Sequence, residues 1–387
     1  MKTILIQKRA LIVGTLLTTL FSQLILYSVS YGNNGSIRPM PEAEYAEFLD
    51  AAEAFTQANY ERISTLQGEI SIQEDNYLYG ETCRRLQISE DDPAYSSNSI
   101  RRRITNSVEK FAVDVRNNKL YTELTFPNVK YKALDLDRDV TVKEKYSSVI
   151  SIVTSDEYLT YEPGLTYGYE KKTNGKWVGR KAFRWPVKRV KGEQWGHVRD
   201  PRKYFFNGHR AIWEELSALR NHITNPSPDI PEGKEPQISI TTEEIGENTK
   251  FQIKGGFHGS EDCANCENNF VYIIMTLDNS VGLNLVRREV TRKNGETLQT
   301  LDITYEKIDD VYVPKTIHYM IFLSSDGKIR FDSQITFTKS VLNAPIPTET
   351  FEYTNLGLKD GDIFSDKIAN KEFQYEAATK KLKPVEK

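Results

Sequence analysis

From residue 270 onward the chain alternates apolar and polar side chains with a period of two, broken at short intervals by turn residues. Five runs stand out: Phe270 to Leu277, Leu283 to Val290, Leu298 to Ile308, Val311 to Leu323 and Lys328 to Thr338. The breaks are Asp278–Gly282, Asn294-Gly295, Asp309-Asp310 and Asp326-Gly327. A period of two is the signature of a half-buried strand. Connections this short leave no room for a crossover, so successive strands must run antiparallel. In the last run Ile329, Phe331, Ile335 and Phe337 face one way, and Arg330, Asp332 and Gln334 face the other. One side of the sheet is therefore expected to be covered and the other wet.

The first half carries the same signal less regularly. Ile70 and Ile72 alternate with Ser71 and Gln73, Phe111, Val113 and Val115 with Ala112 and Asp114, and Leu120, Leu124 and Phe126 follow. Asn117-Asn118 and Asn174-Gly175 sit where hairpin turns belong, because such residues accept the positive φ of a tight turn. Two stretches have a helical period instead. Glu42 to Ile63 places Tyr45, Phe48, Leu49, Ala52 and Phe55 on one face, with Pro41 at its start, and Gly208 to Ile223 carries Ile212, Leu216, Leu219 and Ile223. Neither helix has enough apolar surface for a bundle, so both must pack on the sheet. The expected fold is mainly β, with a large, curved antiparallel sheet packed on two amphipathic helices.

The expected organisation is a signal peptide over 1–30, a flexible lead over 31–39, and a body of helix, strands and second helix over 40–223. A proline-rich connector over 224–236, a meander over 237–340 and an extension over 341–387 follow, with 237–387 part of the same fold as 40–223. Lys2, Lys8 and Arg9, the apolar run Ala10 to Leu26 and the small residues Ser28-Val29-Ser30 follow the order of a secretory signal. Cleavage near Ser30 would export the chain to a periplasmic or extracellular compartment; retention would make the same run an anchor. Losing the three basic residues takes the formal net charge from −3 to −6, a poor match for nucleic acid.

Candidate sites are few. Residues 171–203 hold twelve Lys or Arg against Glu193 and Asp200, and three of the four tryptophans, Trp177, Trp185 and Trp195. Lys181, Arg184, Lys188, Arg189 and Lys191, with Trp185 and Trp195, have the chemistry to meet an anionic headgroup or acidic glycan. The plainer alternative is a solvated hairpin whose rings cover the sheet. Cys263-Ala264-Asn265-Cys266 lies in a polar loop. Its spacing suits a local disulfide, in line with an oxidising compartment, ahead of metal binding or redox exchange. The five histidines are scattered, and there is no H-E-x-x-H, G-x-S-x-G, Walker or G-x-G-x-x-G motif. No catalytic residue, metal or cofactor is expected. The acidic runs 135–139 and 360–362 lack the spacing and closing Glu of a calcium loop.

One stretch resembles a known family. It runs Val286-Arg287-Arg288-Glu289-Val290, then Thr291 to Glu296, then Leu301-Asp302-Ile303-Thr304-Tyr305, then Val311-Tyr312-Val313-Pro314-Lys315. With the order signal, helix, meander, helix, meander, this is similar to the LolA-like and LolB-like superfamily of periplasmic lipoprotein carriers and to outer-membrane lipoprotein-sorting-like proteins. The resemblance implies a half-barrel whose concave apolar face holds acyl chains, and a non-enzymatic envelope role with a lipid or acylated protein as partner. It assigns no individual cargo residue. The alternative is a structural adaptor that binds an anionic glycan or membrane surface through residues 171–203.

Overall fold

The computed structural model describes residues 37–78, 101–133, 138–142, 148–161, 181–186, 212–224, 237–258, 270–322 and 329–385. Its strands are, in chain order, β1 (Ile37–Pro39), β2 (Thr65–Leu78), β3 (Arg101–Asp114), β4 (Lys119–Ala133), β5 (Arg138–Val142), β6 (Ser148–Val153), β7 (Glu157–Tyr161), β8 (Lys181–Pro186), β9 (Gln237–Ile245), β10 (Asn248–His258), β11 (Phe270–Asp278), β12 (Asn284–Arg292), β13 (Thr297–Ile308), β14 (Val311–Phe322), β15 (Ile329–Leu342), β16 (Ile363–Asp366), β17 (Lys371–Glu376) and β18 (Lys381–Pro384). Two α-helices join them, α1 (Tyr45–Glu61) and α2 (Ile212–Thr224). The chain is thus mainly β, antiparallel and fitted with two amphipathic helices, as the alternation implied. It divides into two compact units, residues 1–58 with 212–296 and residues 59–211 with 297–387.

In the first unit β1 lies against β9, and β9, β10, β11 and β12 pair in sequence order, all antiparallel. Tyr45, Phe48, Leu49 and Ala52 of α1 are buried, and the Phe48 ring lies 4.7 Å from that of Phe251 on β10. Ile212, Leu216 and Leu219 of α2 are buried as its stripe required. Arg220 joins the two helices through Asp50 and, at 3.6 Å, Glu53. The α1 stripe does not continue through Phe55, which is half-buried; it turns instead through Thr56 and on to Asn59 and Tyr60. Thr56 can enter the interior because its hydroxyl donates to the Ala52 carbonyl at 2.9 Å.

The second unit is built on the neighbours β13, β14, β15, β2, β3 and β4. One half of β4 pairs with β6 and the other with β5, and β7 and β8 follow β6. Asp309 (φ 47°) and Asp310 (φ 62°) close the β13–β14 hairpin. Two successive left-handed residues make a turn whose twist matches its strands. Asn59 fastens this hairpin, its side-chain amide donating to the Tyr312 carbonyl and accepting from the Tyr312 N–H, both at 2.9 Å. Asn59→Ala leaves both groups of Tyr312 without that partner and is expected to lower stability by about 1–3 kcal/mol. A urea midpoint unchanged from the parent would contradict this.

Residues 341–385 are woven into this unit. β16 pairs parallel with β8, and β17 and β18 extend the sheet antiparallel. Phe351, Leu356, Leu358, Phe364 and Tyr375 close over Ile150, Ile152, Leu159, Tyr161 and Ala182 to form one buried cluster. Two buried aspartates fix the join. Asp362 accepts from the Tyr161 hydroxyl at 2.5 Å and from the Lys359 N–H at 2.8 Å. Asp366 accepts from the Ile368 and Ala369 N–H groups and from Arg184, each at 2.9 Å.

Candidate functional site

In an antiparallel pair, directly opposed residues share a face, so register alone assembles the rows of side chains across a sheet. On the second unit one row runs Ile303, Ile317, Ile335, Ile72, Ser107. The next runs Phe337, Ile70, Glu109, Leu124, Val149. A third runs Gly68, Phe111, Thr122, Ser151, Thr160, Phe183. Ile335 is 6% and Phe337 1% exposed. The Phe337 ring meets Phe111 edge-on at 6.2 Å between centroids. This is the covered face of the sheet, and its centre is packed as densely as a core.

The face changes towards the other end of the same strands. Ile321 stands opposite Phe331, and Phe322 opposite Ile329. These four and Tyr319 are only half-buried. Tyr319 and Phe331 meet edge-on at 6.0 Å. Five large apolar or aromatic side chains therefore continue the apolar rows with part of their surface left uncovered. The opposite face is polar, with His318 Nε2 2.9 Å from Asp332 Oδ1. Of the four apolar candidates, then, Ile335 and Phe337 sit in the packed part and Ile329 and Phe331 at its half-covered end.

Sequence inspection did not single out Glu109 or the hydroxyls. Glu109 is 1% exposed, between Ile70 and Leu124 in its row, and Thr122, Ser151 and Thr160 are 1%, 1% and 8% exposed. A signal for Glu109 existed: it is two residues before Phe111, in phase with Phe111 and Val113. The hydroxyl row had none, because its members lie on three strands whose register only the fold reveals. Tyr60 is buried and Tyr305 half-buried, and burial around their hydroxyls holds both phenols far above the usual tyrosine range.

Arg184, one of the candidate anion-binding residues, is engaged inside the unit. Its guanidinium donates to Glu157 of β7 and, at 2.9 Å, to Asp366 of β16. Lys181 and Trp185 belong to β8, but their side chains, and all of Lys188, Arg189, Lys191, Trp195, Cys263 and Cys266, lie outside the described residues. So do the signal segment 1–30 and the Pro-rich connector 225–236. Among the described residues no group of three or more His, Cys, Asp or Glu is placed to hold a metal, and no helix is long and apolar enough to cross a membrane.

The Asp366 carboxyl titrates below the usual carboxylate range. Burial works against this, but the N–H groups of Ala369 and Ile368 and the Arg184 guanidinium outweigh it. A depressed carboxyl adds stability that is present above its unfolded value of about 3.9 and is lost as pH falls through the lower folded value. Asp366→Asn is expected to cost about 1–3 kcal/mol at neutral pH, with the gap to the parent closing below about pH 4. Urea midpoints across pH 2–7 measure it, and a gap independent of pH contradicts the assignment.

No protein-family model matches the chain, and a search of curated proteins finds no match. Among solved structures it is similar to a DUF1329 family protein from Desulfovibrio piger, at 9% identity and a TM-score of 0.34, over 80% of this chain and 98% of that one. It is also similar to an outer membrane lipoprotein-sorting protein domain from Vibrio parahaemolyticus, at 10% identity and a TM-score of 0.33, over 80% and 99%. A LolA superfamily protein from Nitrosomonas europaea matches at 11% identity and a TM-score of 0.31, over 78% and 99%.

Proposed function

We propose that the chain is a non-enzymatic cell-envelope protein that binds an apolar ligand, a lipid or an acylated protein, on the covered face of the second unit's sheet. One observation carries the reading. Past Ser333, the apolar rows through Ile335 and Phe337 run on along β14 and β15 into Tyr319, Ile321, Phe322, Ile329 and Phe331, all half-buried, with Glu74 and Asn76 of β2 beside them. Large apolar side chains left partly uncovered in a contiguous patch mark a binding surface. Export, expected from residues 1–30, would place this surface among envelope lipids.

The test is Phe331→Glu. Phe331 is half-buried, so a carboxylate there keeps contact with water and the fold is expected to survive. Binding of a fluorescent acyl probe should fall at least about tenfold, the effect of losing about 1.4 kcal/mol. Full probe binding by a folded Phe331→Glu variant would remove the face as the site.

A further inference from the structure

The strands of the first unit also have a covered face, and its cover runs out at β12. Register again gives the rows. Ile240, Ile253 and Met275, at 0%, 0% and 2% exposure, lead across β9, β10 and β11 to Arg288 of β12. The next row runs Ile238, Gly255, Ile273, Val290, and beyond it Val271 stands opposite Arg292. Val271, Ile273, Val290, Arg288 and Arg292 are all half-buried. Rows that are sealed on β10 and β11 therefore end on three partly uncovered aliphatic side chains beside two arginines.

The charge here has one sign. β12 and the turn after it carry Arg287, Arg288, Arg292 and Lys293 against Glu289 and Glu296. Arg287 and Glu289 pair with each other at 2.5 Å on the opposite face. Arg292 meets Glu296 only at 3.6 Å, outside hydrogen-bond distance, so its forked guanidinium keeps donors for another acceptor. The three rows themselves contain no Asp or Glu. Arginine stems pack along apolar neighbours while their heads seek an anion, and the planar fork fits a carboxylate in two-point contact. A carboxylate on a hydrocarbon chain answers both halves of the patch, whereas a neutral head answers only the aliphatic half.

We infer that Val271, Ile273 and Val290, with Arg288 and Arg292, form a second ligand site that takes a fatty-acid carboxylate, its head on the arginines and its single chain along the aliphatic side chains. The site goes beyond the reading above and lies on the other unit. Its three aliphatic side chains offer less apolar contact than the five on the second unit, so it holds its ligand more weakly and exchanges it during purification.

The experiment uses the full chain stripped of lipid, and as probe a dodecanoate with a diazirine on its chain, cross-linked by light and mapped by mass spectrometry. Adducts are expected between Val271 and Arg292. Plain dodecanoate should displace them at a concentration at least about tenfold lower than dodecanol needs, the effect of a charge-assisted hydrogen bond. Arg292→Gln, at a side chain 34% exposed and therefore dispensable for folding, should raise the dodecanoate concentration required about tenfold and leave that of dodecanol unchanged. Arg292→Lys, which keeps the charge, should recover part of the difference. Equal displacement by the two competitors, or adducts indifferent to Arg292→Gln, would overturn the site. Adducts confined to Tyr319–Phe331 would also overturn it, while leaving the reading of the second unit standing. Adducts at Val271–Arg292 with none at Tyr319–Phe331 would uphold it and count against that reading, and a chain that takes no label anywhere would overturn both.

Discussion

Replacing Gly68 by alanine is expected to lower stability by about 3–5 kcal/mol, well above the ordinary surface or strand substitution. Gly68 lies on β2 beside the register shift between Phe337 and Lys339 of β15. There the two backbones approach so closely that an added Cβ would sit 2.1 Å from the Lys339 carbonyl oxygen and 2.9 Å from Phe111 Cζ. The first obstacle is backbone, which cannot swing aside as a side-chain end can. Relief requires undoing the bulge, on which the Thr338 hydroxyl's 3.0 Å bond to the Glu69 carbonyl depends, or displacing the Phe111 ring from Phe337. Gly246 is the matched control. Its φ is +63° and nothing lies within 4 Å of its added Cβ, so Gly246→Ala meets only the left-handed backbone cost of about 1–2 kcal/mol. Urea unfolding of both variants separates the two causes. Equal, small losses would mean that β2 and β15 do not approach as described.

Phe337→Ala is expected to cost about 3–5 kcal/mol, as truncation of a fully packed ring does. Phe337 is 1% exposed, meets Phe111 edge-on and stands in the row with Ile70 and Glu109. Phe331, six residues earlier on the same face, is half-buried and lines the open end, so Phe331→Ala should cost less than half as much. The contrast marks where core ends and binding surface begins. Near-equal losses for the two variants would show Phe331 to be core and remove the structural basis for a ligand there.

The covered and wet faces of β15 were legible because they follow from a period of two within one strand, as were both helix stripes over most of their length. The departures are all non-local. Asn59 looks like the polar side of α1 until it meets the Tyr312 backbone, 253 residues away. β16 reads as a short segment of an extension until it pairs parallel with β8, a contact that no hairpin rule anticipates. Arg184 reads as part of a basic stretch because sequence cannot see Glu157 and Asp366 on either side of it. On the covered face, the apolar alternation of β15 was visible and the buried hydroxyls were not. Thr122, Ser151 and Thr160 are unremarkable residues on separate strands, and only register aligns them into one buried row.

The central claim is that the half-covered end of the apolar face carries a lipid or an acylated protein. The most direct test is native mass spectrometry of the protein purified from its own envelope fraction, with extraction and identification of anything bound, for the parent and for Phe331→Glu side by side. The account predicts that the parent carries an added mass, that extraction yields an acyl-bearing molecule, and that Phe331→Glu, folded by circular dichroism, has lost it. A parent at its bare polypeptide mass, with no acyl chain in the extract, would contradict the account.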